Sequence, residues 1–80
     1  MDRFVIEIFS EGEFLYDEAV ECDQRLLNEH DLGIICTGKD VGMLFVRRLQ
    51  DPGAGYFLKE DGRWDYGQRE EALSVIKRRI

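Results

Sequence analysis

Glu13-Phe14-Leu15-Tyr16-Asp17-Glu18-Ala19-Val20-Glu21-Cys22-Asp23-Gln24-Arg25-Leu26-Leu27-Asn28-Glu29 carries apolar residues at a helical period. At 100° per residue Leu15, Ala19, Cys22 and Leu26 fall in one narrow stripe, flanked by Tyr16, Val20 and Leu27. Asp17, Glu18, Glu21, Gln24, Arg25 and Asn28 lie opposite. Ser10, three residues before Glu13, gives the outline of a capping box. These features predict an amphipathic helix over 13–29 with a wet face that is mostly negative.

Before this segment, Arg3 to Phe9 reads as a strand, with Phe4, Ile6 and Ile8 on one side and Val5, Glu7 and Phe9 on the other. After it, Leu32–Thr37 reads as a short apolar strand closed by Gly38-Lys39-Asp40. A further strand runs from Val41 or Met43 to Leu49, and Asp51-Pro52-Gly53-Ala54-Gly55 reads as a turn. Tyr56–Glu60, Asp61-Gly62 and Arg63–Tyr66 form a predicted hairpin with a two-residue turn. That register sets Lys59 opposite Trp64 and gathers Phe57, Trp64 and Tyr66 on one face. A last helix follows from about Gln68, with Ala72, Leu73, Ile76 and Ile80 on its apolar side. The expectation is a single α+β domain over 1–80, in the order β-α-β-β-β-β-α. A small, largely antiparallel sheet would carry both helices packed on one face.

Eighty residues sit near the lower end of independent folding. A net stability of about 4–12 kcal/mol leaves little room for strained catalytic geometry. The net charge is −6, unevenly spread. Residues 1–40 hold eleven acids against three bases, and residues 41–80 hold six acids against eight bases. Such asymmetry bears on partners and solubility rather than on fold. No apolar run approaches the roughly 20 residues of a membrane helix, and the opening residues lack a secretory layout, so the expected compartment is cytoplasmic with no membrane contact. Cys22 and Cys36 lack a paired Cys-x-x-Cys and are expected to be reduced, buried thiols.

Catalytic constellations are not apparent. His30 is the sole histidine and falls in the polar run Asn28-Glu29-His30-Asp31. Nucleophilic catalysis needs a histidine within reach of a serine or thiol, and neither cysteine is placed for it. Zinc needs four ligands, and Cys22, Cys36 and His30 lack the close paired spacing of structural sites. The glycines are scattered among turns, with no phosphate-cradling run. The protein is therefore expected to be no enzyme, with no catalytic residue, cofactor or metal.

Double-stranded-RNA-binding domains also end in strands and a helix. The likeness breaks at Glu70 and Glu71, where that family places lysines, so direct nucleic-acid binding is not expected. In size, charge and element order the chain resembles the small acidic proteins of phages and mobile elements that block host machinery, anti-CRISPR proteins among them. That resemblance carries no residue with it. It implies an inhibitor or adaptor, and the acidic imbalance of residues 1–40 points to a negative helix face, in the manner of a nucleic-acid mimic, docking on a basic protein partner such as a nucleic-acid-handling complex. The expected contact residues are Glu11, Glu13, Asp17, Glu18 and Glu21, with Trp64 and Tyr66 as aromatic contacts. The alternative is a self-associating regulatory or structural module, a homodimer built on the hairpin aromatics and an unpaired sheet edge.

Overall fold

A computed structural model describes residues 2–80. Five antiparallel strands form one sheet in the order β2-β1-β3-β4-β5: β1 (Asp2–Ser10), β2 (Glu13–Cys22), β3 (Leu44–Arg48), β4 (Asp51–Leu58) and β5 (Trp64–Gln68). Two helices accompany them, α1 (Glu29–Ile35) and α2 (Arg69–Lys77), with a single 3-10 turn at Val41–Met43. The α+β class and the antiparallel sheet are as the sequence predicts. The element order differs.

The 13–29 helix does not form; its first ten residues are β2, hydrogen-bonded to β1 along its whole length. The reason begins at the turn. Glu11 (φ 52°) and Gly12 (φ 81°) both take positive φ, the requirement of the tight hairpin turn that matches strand twist. Ser10 then faces Glu13 across that turn instead of capping a helix. Extension also separates like charges. A helix would bring Asp17 and Glu21 onto one ridge, four residues apart. In the strand Asp17 and Glu18 point to opposite sheet faces, and Val20 and Cys22 pack against the core.

The expected strand over 32–37 is a helix instead. Asn28 caps α1: its Oδ1 accepts from the Asp31 backbone N–H at 2.8 Å, while Asp31 Oδ2 accepts from the Asn28 N–H at 3.2 Å. Leu32 and Cys36, one helical turn apart, then point into the core. A short apolar run is compatible with either state, and here the cap selects the helix.

The helices do not share a face. Leu27, Leu32 and Cys36 pack with Phe4, Ile6, Leu44 and Val46 on one side of the sheet. Ala72, Val75 and Ile76 of α2 pack with Phe9, Phe45 and Phe57 on the other. The central strands explain this, because β1 and β3 are buried on both faces and each face needs its own cover. On the α2 side Gly55 is necessary: a Cβ there would lie 2.5 Å from the Val46 carbonyl oxygen and 2.9 Å from the Phe45 ring. The predicted Asp51–Gly55 turn is the irregular start of β4, which pairs Arg48 with Asp51 and Arg47 with Gly55.

The β4–β5 hairpin is real, but its register is shifted by one residue. Lys59 N–H donates to Arg63 at 2.8 Å, and Gly62 (φ 87°) closes a three-residue loop. Leu58 therefore faces Trp64, and Phe57 faces Asp65. A one-residue slip reverses faces. Phe57 is buried under α2, while Trp64 and Tyr66 turn to the α1 side.

Candidate protein-interaction site

The predicted contact residues separate into two groups. Glu11, Glu13, Asp17, Glu18 and Glu21 lie on the β1–β2 turn and on β2, one edge of the sheet; Trp64 and Tyr66 lie on β5, the other edge. Four strand spacings divide them, about 19 Å at the usual ~4.8 Å step. They do not form one surface.

Two of the four acids on β2 are answered by the protein's own bases. Lys39 Nζ lies 3.1 Å from Glu18, and Arg3 Nε lies 3.6 Å from Glu21. Both pairs are exposed enough to contribute no more than about 1 kcal/mol each, yet they blunt the field of the strand. Asp17 faces Glu7 across the β1–β2 ladder. Glu7 is 3% exposed and carries two arginines. Arg69 binds it with both terminal nitrogens, at 2.5 and 2.7 Å, and Arg47 Nε donates at 2.5 Å. Burial opposes ionisation of Glu7, but hydrogen bonds and charge from Arg69 and Arg47 outweigh it and hold the carboxyl below the ordinary range. Two guanidiniums against one carboxylate leave a surplus positive charge beside Asp17. Sequence reasoning missed this cluster, since nothing local to Glu7 announces partners 40 and 62 residues away.

What remains open on β2 is its outer edge and one end. The strand pairs with β1 alone, so the backbone groups aimed away from β1 have no ladder partner among the described residues. Phe14, Leu15 and Tyr16 are 53%, 59% and 47% exposed. A bulge contributes to this, because Ile8 faces Tyr16 and Phe9 faces Phe14, which leaves Leu15 as the extra residue. Leu15 lines a recess of about 400 Å³ with Phe9, Met43 and Ile80, and two carboxylates, Glu11 and Asp40, stand on its wall beside the Arg79 guanidinium. Neither of these two carboxylates, nor Glu13, forms an ion pair among the described residues.

At the far edge, Tyr56 and Tyr66 meet edge to face, with centroids 4.9 Å apart at 70°. Tyr56 is fixed by its hydroxyl, which accepts from the Leu27 N–H at 3.1 Å. Trp64 is half-buried on the same face, and its backbone N–H donates to Glu29 at 3.3 Å.

The remaining polar chemistry is sparse. Cys36 is buried, and desolvation pushes its thiol up to about 11 against a small opposing pull from Lys39. Cys22 is half-buried, and both are free thiols. His30 is exposed at the start of α1 rather than at a helix end. Among the described residues no three His, Cys, Asp or Glu side chains are grouped to hold a metal ion, and no helix is long and apolar enough to cross a membrane. Comparison with protein-family models, curated proteins and solved structures gave no match.

Proposed function

We propose that this protein acts without catalysis, as an inhibitor or adaptor that captures an extended, basic segment of a protein partner. The segment adds as a sixth strand beside β2. The observation that carries this reading is the ten-residue open edge of β2 with Phe14, Leu15 and Tyr16 exposed in succession. Long exposed apolar edges template strand addition, in which backbone hydrogen bonds supply affinity and alternate side chains supply selectivity. A docking helix face is no longer part of the reading, because the acids that suggested it are extended and partly paired.

Charge chooses the occupant. A second copy would bring its own Glu13 and Asp17 to the seam, the two β2 acids that form no ion pair among the described residues, while the chain as a whole carries −6. Like charges across a ladder oppose pairing, so the acids guard the edge against self-association and admit a segment bearing lysine or arginine.

Random 12-residue peptides displayed against the full chain test the proposal. Selected sequences should alternate apolar residues with Lys or Arg, perturb the β2 amides in NMR titrations, and weaken as salt rises. Replacing Leu15 and Tyr16 together by lysine should weaken them at least tenfold with the fold intact. Peptides that leave β2 unperturbed, or a protein that dimerises through β2, would overturn it.

A further inference from the structure

We infer that Glu29 and Asp65 close the β5 edge of the sheet against a second copy of this chain, which leaves β2 as the edge open to another strand. The direction of the β5 backbone follows from its hairpin. Lys59 N–H donates to the Arg63 carbonyl at 2.8 Å, so those two residues form a hydrogen-bonded pair. Such pairs alternate along an antiparallel ladder. Phe57–Asp65 and Gly55–Gly67 therefore exchange hydrogen bonds, whereas Leu58–Trp64 and Tyr56–Tyr66 do not. The N–H groups of Trp64 and Tyr66 point away from β4, toward the free side of the sheet. Both are already taken. Trp64 N–H donates to Glu29 Oε2 at 3.3 Å, and Tyr66 N–H donates to Asp65 Oδ1 at 2.8 Å.

A strand adding at β5 would need those two donors for its own carbonyls. It would have to displace both carboxylates, exchanging charge-assisted hydrogen bonds for neutral ones. Displaced but still close, the carboxylates would then face the incoming carbonyl oxygens, acceptor against acceptor. Charge placed on an edge strand is a common means of keeping it from pairing. Nothing else at β5 serves that purpose. Apart from Asp65 its residues, Trp64, Tyr66, Gly67 and Gln68, are uncharged, and Tyr66 is 51% exposed. Without the two carboxylates this neutral, aromatic edge would meet its own copy with little repulsion. The β2 edge differs, because no side chain among the described residues bonds to its backbone.

Amide exchange and sedimentation of the full chain test the closure. In dilute samples Glu29→Ala should speed exchange of the Trp64 amide several-fold and leave Tyr66 unchanged, while Asp65→Ala should do the reverse. The double alanine variant should sediment faster as its concentration rises, with the Trp64 and Tyr66 amides slowed again in the concentrated sample. Glu29→Gln with Asp65→Asn removes the same charges but keeps an acceptor for each N–H, and should remain monomeric like the wild type. Unchanged exchange at Trp64 and Tyr66 in the single variants would overturn the inference. So would a double alanine variant that stays monomeric at every concentration, a wild type that dimerises through β5, or a Gln/Asn variant that associates as readily as the alanine one. Strand capture is read at β2 with these residues intact, so either reading can fail without the other.

Discussion

Arg69, the first residue of α2, grips Glu7 in the middle of β1 with two parallel hydrogen bonds across 62 positions of sequence. Arg47 closes the group from β3, and its Nη1 donates to the carbonyls of Arg48 and Leu49, both at 3.1 Å. The cluster pins the start of α2 to two central strands. Removing the carboxylate leaves two guanidiniums facing each other in a poorly solvated place. Glu7→Gln should therefore cost about 3–5 kcal/mol, measured by denaturant unfolding. An effect below 1 kcal/mol would show that the cluster is better solvated than its geometry implies.

The same group sets an acid limit. The Glu7 carboxyl is depressed in the folded state. Its contribution is complete above the unfolded carboxylate pKa, near 4.3, and is lost as pH falls through the lower folded value. The stability gap between wild type and Glu7→Gln should be constant from pH 7 to about 5 and narrow progressively below 4. A gap that widened on acidification would contradict the assigned direction.

The β1–β2 turn carries its own test. Glu11 holds positive φ without being glycine, and the left-handed region costs an ordinary residue about 1–2 kcal/mol. Glu11→Asn should stabilise the protein by up to about 1 kcal/mol, since asparagine tolerates that region. Gly12→Ala should destabilise it by at least about 1 kcal/mol, because the added Cβ would also lie 2.5 Å from Ile80 Cδ1. Were 13–22 helical, neither substitution would act in this way.

Register in the β4–β5 hairpin is measurable by truncation. Phe57, 1% exposed beneath α2, should cost about 3–5 kcal/mol when replaced by alanine. Tyr66→Ala should cost under about 1 kcal/mol. Similar losses at both positions would place the two rings on one face, as the two-residue loop requires.

The thiols should differ in reactivity. With its pKa near 11, only about one Cys36 thiol in a thousand is ionised at pH 8. An alkylating reagent followed by mass spectrometry should modify Cys22 first, with Cys36 reacting on the timescale of opening. Faster modification of Cys36 would contradict its burial.

Some of this was readable from the chain and some was not, for identifiable reasons. The strand at 3–9 alternates cleanly, and the last helix is bracketed by Glu70 and Glu71 at its start and Lys77 at its end, so both were legible. The segment 13–22 satisfies two periods at once. Leu15, Ala19 and Cys22 fit a helix, whereas Tyr16, Val20 and Cys22 fit a strand. Glu11-Gly12 held the deciding information, because a positive-φ pair ends any helix start at Ser10. The hairpin was visible in Asp61-Gly62, yet its register depended on a three-residue loop that only backbone geometry distinguishes. Two-sided burial of β1 was missed, since both helices were expected on one face, although Val5 and Phe9 need a second cover. At the candidate site, Glu11 and Glu13 were expected beside a helix face and instead flank the turn into β2, and the ion pairs of Glu18 and Glu21 arise from contacts remote in sequence.

The most direct test is intermolecular NOE spectroscopy of the labelled protein with a selected peptide bound. Strand capture predicts regular backbone-to-backbone contacts from the peptide to alternate residues of Glu13–Cys22, together with slowed exchange of the outward β2 amides that are unprotected in the free protein. Peptide contacts confined to another surface, with β2 amides exchanging as before, would contradict it.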